Sequence, residues 1–334
     1  MRANIFSTLF LFVFSLVGIG FCESENLKKF KEELANGEKK FVELRLDEED
    51  LSGMNLSGCE FTLCNFTDAS FEDANLSGAV FEFNYYRYLS GTSFQNANLD
   101  GSKFTDAGHK YRDGRGNIPN LADVNFKGAS LKGAEIKVDN LSNCKFDRAN
   151  MENATVKLST GRINNCSFSK ASMRGISFEG IESFSNCDFS EVDGTNSKFK
   201  KQKGAHSLSF HSCSFSKAIF DNAKLVQVSL YGSSADPLDC SNSSFKNADM
   251  RKSHLSCLNL SNSSFLGADL SDGCVGNLNS QDAENVDFRN SNLEGTTITS
   301  DKEPSLIEGA TIKKTSWGPY PAAMKELKPK GEKR

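Results

Sequence analysis

From Leu46 to Phe81 every fifth residue is a leucine or a phenylalanine: Leu46, Leu51, Leu56, Phe61, Phe66, Phe71, Leu76 and Phe81. The residue two places earlier is small at Ala69, Ala74 and Ala79, and is cysteine at Cys59 and Cys64. A period of five matches neither the helical repeat of about 3.6 nor the strand repeat of about 2. It suits a chain that turns a corner every five residues and points one large and one small side chain inward on each side. Such a unit cannot bury its large side chain alone, so units must stack on one another. Stacked turns lie about 4.8 Å apart, the distance at which neighbouring backbones pair.

The segments Ala74-Asn75-Leu76-Ser77-Gly78, Ala97-Asn98-Leu99-Asp100-Gly101 and Ala268-Asp269-Leu270-Ser271-Asp272 resemble the pentapeptide-repeat family, whose signature is A-(D/N)-L-x-x. The match runs with interruptions over residues 44–317. The resemblance implies an all-β fold, a right-handed quadrilateral β-helix with four pentapeptides per coil and about eleven coils, roughly 50 Å long. It implies no activity, because an architecture is not a site.

The ends carry other signals. Met1-Arg2-Ala3-Asn4 and the apolar run Ile5 to Phe21 read as a signal peptide over residues 1–22, cut before Glu23. An uncleaved anchor or a lipidated Cys22 is the lesser alternative, since Phe21 is not the small residue that lipidation needs. Residues 23–43 read as a capping helix and linker. Leu27, Phe30 and Leu34 fall on one face of a helix over 25–36, and Gly37 supplies its stop. A helix there would cover the open end of the core. Residues 318–334, charged and holding Pro329 and Gly331, read as a disordered tail. The formal net charge of −4, or −5 without Arg2, is weak and implies neither a nucleic-acid binder nor a strongly acidic DNA mimic.

The interruptions of the period carry the functional expectation. With sides counted from Leu51, Leu56, Phe61 and Phe66, turns begin at Phe71, Phe94, Phe126, Phe146, Phe168, Phe189, Phe215, Phe245, Phe265 and Phe288. In this alignment Cys240 closes the turn begun at Phe215, Leu230 being the alternative closure, and every insertion falls between the third and fourth sides. The insertions 82–88, 105–120, 200–209 and 226–239 would then line one edge. Tyrosine and basic residues gather in them: Tyr85, Tyr86, Arg87, Tyr88, His109, Tyr111, Arg112, Arg115, Lys200, Lys201, His206 and Tyr231. Tyrosine and arginine suit binding interfaces, so this edge is the candidate binding surface, with a protein as the expected partner. Solvated loops that cannot use tyrosine in a phenylalanine slot are the competing explanation.

Cys144, Cys166, Cys187 and Cys213 each stand two residues before the first-side phenylalanine of successive turns, which predicts an inward ladder of sulfurs. A straight ladder does not converge on a tetrahedral metal. Cys257 and Cys274 fall on outward positions. The four histidines, His109, His206, His211 and His254, show no metal-binding spacing, and no nucleophile elbow, phosphate loop or dinucleotide fingerprint is present. A core filled by phenylalanine and leucine leaves no concavity for catalysis. The expected function is therefore an exported, non-enzymatic scaffold with no cofactor, no nucleic-acid partner, and membrane attachment only through the leader or Cys22. An effector delivered to a host cell is the alternative, and a gyrase-protecting DNA mimic is a remote one.

Overall fold

The computed structural model describes residues 23–83, 88–106, 120–232, 238–256, 258–278, 285–300, 307–313, 315–318 and 325–326. The chain divides into two units between Glu38 and Lys39. In the first, the expected helix spans Glu25–Ala35. Ser24 caps it, its hydroxyl accepting from the Leu27 N–H at 3.0 Å and so satisfying one of the unpaired donors of the first turn. Leu27 and Phe30 are buried, whereas Leu34, on the same face, is only half-buried. Gly37 ends the helix at φ +90°, where its N–H donates to the Leu34 carbonyl. No helix among the described residues is long and apolar enough to cross a membrane; residues 1–22 lie outside them.

The second unit is a parallel β-solenoid of about eleven turns. Its stack begins at Phe41, inside the segment expected to be a linker: Lys40–Val42 pairs in parallel with Glu60–Thr62. The third side then continues through Phe61, Phe81, Phe104, Ile136, Val156, Phe178 and Phe199, each inward and buried. The first side stacks Phe71, Phe94, Phe126, Phe146, Phe168, Phe189 and Phe215 ring on ring, with centroids 4.9–5.2 Å apart. The phenylalanines expected inside, Phe61, Phe66, Phe71, Phe81 and the turn openers from Phe94 to Phe288, are at most 3% exposed.

The five-residue signature follows from the corner. After an inward residue comes one outward residue, then one in the left-handed region, then the small residue, whose N–H closes a turn on the inward residue's carbonyl. Met151, Asn153 (φ +57°) and Ala154 show it, with Ala154 N donating to Met151 O at 3.1 Å. Glycine, asparagine and aspartate tolerate that conformation best, and they dominate the position. The asparagine or aspartate before the inward residue accepts a backbone N–H from two residues on, as Asn75 does from Ser77 at 3.2 Å. One slot breaks the rule. Gly194 stands where Met173 and Phe220 stand one turn away on either side, and the Phe220 ring leans in so far that a Cβ on Gly194 would meet it at 2.4 Å.

The expected side count fails after Leu225. Val228–Tyr231 pairs with Leu208–His211 in the register Phe210↔Leu230, so Leu230 closes the turn and Cys240 opens the next. Phe245, Phe265 and Phe288 consequently continue the second side above Phe220, not the first. Leu255, Val275 and Ile298 continue the fourth. Of the insertion expected over 200–209, residues 202–207 lie between the third and fourth sides as expected, whereas the interruptions after Tyr231, Val275 and Ile298 follow the fourth side. The interruptions therefore fall at two places in the turn, not one.

Candidate binding face

The fourth side is a continuous ladder of parallel strands. Its inward residues pair rung on rung through Leu121, Leu141, Ile163, Phe184, Phe210, Leu230, Leu255, Val275 and Ile298. Outward character is set by the residues directly before and after each inward one. From Leu89 to Ile298, Arg162 alone among these carries a formal charge, and its Nε lies 3.4 Å from Glu182 Oε2. The others are asparagine, serine, threonine, histidine, tyrosine, alanine, glycine and cysteine. The third side differs sharply: the same positions there hold Lys137, Lys157, Glu179, Lys198, Lys200 and Lys224, among other charges. Lys200 Nζ donates to Glu179 Oε1 at 2.7 Å, which holds the Glu179 carboxyl below its ordinary range.

Polar side chains on the fourth side repeat in register. Asn140 Nδ2 donates to Asn120 Oδ1 at 3.2 Å. At the following corner Asn186 donates to Asn165, Asn165 to Asn143, and Asn143 to Asp123, at 3.1, 3.2 and 2.9 Å. All four adopt left-handed φ of +53° to +61°. Above this ladder His211 and Tyr231, paired in register, stack at 5.8 Å between centroids and 14° between planes. Tyr231 is 40% exposed. A cavity of about 590 Å³ opens on each side of it. One is lined by Asn186, Asp188, His211, Ser214 and Asp239, among others. The other is lined by His206, Gln227, Ser229, Lys252, His254 and Asp272, together with Tyr231.

Of the residues expected to form the binding edge, Tyr85, Tyr86, Arg87, His109, Tyr111, Arg112 and Arg115 lie outside the described residues. His206 and Tyr231 share a cavity. Tyr88 precedes Leu89 on the fourth side, several turns from Tyr231, and its carbonyl accepts from Phe66 N. Lys200 belongs to the third side, and Lys201 Nζ donates to the Ala205 carbonyl. His211 and His254 were missed as site residues. With Leu230 as closure, His211 and Tyr231 both directly follow a fourth-side inward residue and His254 directly precedes one, so the correct side count would have found them.

The expected sulfur ladder is present. Cys144, Cys166, Cys187 and Cys213 are buried free thiols. Cys144, Cys187 and Cys213 each lie within hydrogen-bonding distance of two carbonyls, as Cys213 does with His211 O and Phe184 O. Cys187 lies between Cys166 and Cys213. Their S–H groups can both turn toward its sulfur, which lowers the Cys187 thiol while its two neighbours are raised. Cys64 is pushed up to about 11 by burial. Cys274 is partly exposed, and Cys257 lies outside the described residues. Among the described residues, no three histidine, cysteine, aspartate or glutamate side chains converge as metal ligands.

A family profile described as pentapeptide repeats matches residues 50–82, 120–157 and 239–274 in eight copies. No curated relative matches the sequence. Among solved structures the chain is similar to QnrB1, a plasmid-mediated fluoroquinolone resistance protein, at 17% identity over 78% of this chain and 91% of that one, with a TM-score of 0.30. It is also similar to HetL, a pentapeptide repeat protein involved in heterocyst differentiation regulation from the cyanobacterium Nostoc sp. strain PCC 7120. That match is at 16% identity over 87% of this chain and 94% of the other, with a TM-score of 0.22.

Proposed function

We propose that this chain, which belongs to the pentapeptide-repeat family, is an exported, non-enzymatic scaffold that holds a macromolecular partner against the outside of its solenoid. The observation that carries the proposal is the filled interior. Inward slots from Leu46 to Ile298 are almost all occupied by large apolar side chains, and even the Gly194 slot is taken by a neighbouring ring. What such a molecule offers is rows of repeated outward side chains over many turns, a surface matched to an extended partner. Export rests on the apolar leader over residues 1–22.

A protein held along the loop edges is the form that the sequence favours, through Tyr111, Arg112 and Arg115. Delivery into a host cell is compatible with the same leader. A DNA mimic is disfavoured by the lysines of the third side and the neutral fourth side. The test is affinity capture from the native compartment with the chain beginning at Glu23, together with intact-mass measurement on fractionated cells. The expected result is a product starting at Glu23 outside the cytosol that retains one macromolecule in near-stoichiometric amount. A full-length cytosolic product would remove the export reading, and capture of nothing would remove the scaffold reading.

A further inference from the structure

Nature of the fourth side is best judged by what its chemistry can recognise. A nucleic acid needs a row of cations, and here the one guanidinium is paired with Glu182. A lipid surface needs an apolar patch, yet of the large hydrophobic residues most exposed in the described chain, Val42, Ile219 and Tyr231, only Tyr231 lies on this side. Protein interfaces draw their energy from clusters of tryptophan, tyrosine, arginine and large apolar groups, and the described residues of this side offer no such cluster. What the side presents in register is amide and hydroxyl groups, which both donate and accept hydrogen bonds, beside a stacked pair of rings.

We infer that the fourth side, centred on Tyr231 and His211, binds a neutral polysaccharide chain. The assignment rests on the scaffold reading and names the partner for this side. Sugar hydroxyls, like the amides and hydroxyls facing them, are uncharged and serve as both donor and acceptor. The C–H face of a sugar ring is apolar and packs on an aromatic ring, which Tyr231 and His211 provide. The cavities on either side of Tyr231 leave room for a chain to pass the ring pair across the face, with His206 and His254 on one side and Asn186 and Asp188 on the other. Repetition along the sheet suits a polymer better than a single small molecule. A neutral chain brings no charge of its own, so the attraction depends little on salt although Asp188, Asp239, Lys252 and Asp272 line the cavities.

The experiment uses the whole chain beginning at Glu23, co-sedimented with three insoluble neutral polysaccharides, microcrystalline cellulose, chitin and curdlan. Alginate beads serve as an anionic control, and the same chain is used for capture from the native compartment. Retention on at least one neutral polysaccharide is expected, unchanged when salt is raised to about 0.5 M. It should fall about tenfold or more in Tyr231→Ala/His211→Ala and stay unchanged in Lys198→Ala/Lys200→Ala on the third side. Both double variants replace exposed or half-exposed groups, and circular dichroism melting confirms that each is folded. Retention on alginate alone, binding lost in salt, or equal losses in the two double variants would overturn the assignment. Captured protein that is lost in Tyr231→Ala/His211→Ala, with no polysaccharide retained, would overturn it while leaving the scaffold reading in place. A chain that retains neither would overturn both.

Discussion

Replacing Phe146 with alanine tests the physical basis of the solenoid most directly. Phe146 is fully buried, and its ring stacks on Phe126 at 4.9 Å and 9° and on Phe168 at 5.0 Å and 4°. Truncating a buried phenylalanine costs about 3–5 kcal/mol, and the figure rises with the cavity left behind. Here the cavity cannot close. Its floor and roof are turns held at fixed spacing by backbone bonds such as Phe146 N to Ser167 O at 2.7 Å and Lys145 N to Val124 O at 3.0 Å. Two ring pairs, each worth about 0.5–1.5 kcal/mol beyond burial, vanish together. These contributions overlap, so the expected loss is at the top of the range, about 4–5 kcal/mol. Phe146→Leu keeps most of the volume and should cost about 1.5 kcal/mol. Urea unfolding of the chain from Glu23 measures both losses. Hydrogen exchange locates them: each turn touches only its neighbours, so exchange should quicken in peptides covering 121–173 and stay unchanged around Phe265, whose N–H bonds Asp287 O at 2.7 Å. A loss below about 2 kcal/mol, or faster exchange spread evenly along the solenoid, would refute the reasoning.

Three further outcomes follow from individual slots. The buried Ser197 hydroxyl has no hydrogen-bond partner, whereas the Ser253 hydroxyl donates to Leu225 O and accepts from Val228 N. Thermal melts should therefore show Ser197→Ala neutral or stabilising by up to about 1 kcal/mol and Ser253→Ala destabilising by about 1–3 kcal/mol. Gly180, at φ +71°, would place a Cβ 2.3 Å from the Leu158 carbonyl oxygen, whereas Gly133, at φ +64°, has open space. Gly180→Ala should lose more than about 2 kcal/mol and Gly133→Ala about 1 kcal/mol in the same denaturant series. In a Cys257→Ser background beginning at Glu23, Cys274 should be the first thiol labelled by a disulfide reagent. Cys144, Cys166, Cys187 and Cys213 should react only as the chain unfolds, read by mass mapping of labelled peptides.

The period of five made the architecture legible, because each of its parts has a separate physical cause. The large residue fills the interior, the small one clears the corner, and the residue before the large one pins the turn. The same uniformity hides the side count. Every side uses the same five-residue grammar, so an insertion erases the phase, and only backbone pairing restores it. At Leu225 the grammar points both ways. Leu230 keeps the spacing of five but has Val228 in the small slot, while Cys240 is followed by Ser243 and Phe245 in good order. Pairing of Leu230 with Phe210 and Leu255 decides it, because a strand with partners on both edges satisfies backbone groups that a loop would leave to water. The candidate site was lost with the phase. Tyr231 read as a loop residue has no relation to His211; as the residue after Leu230 it stands one rung above it, and His254 follows one rung later beside Leu255. Neutrality was hidden for the same reason. A face is the set of positions sharing a side, and once a side is misassigned the charges of its neighbour are averaged into it. With Cys240 as the closure, Asp239 joins the fourth side while His254, Cys274 and Thr297 are counted on the third; with Leu230 as the closure, Arg162 is the one charge that remains on the fourth.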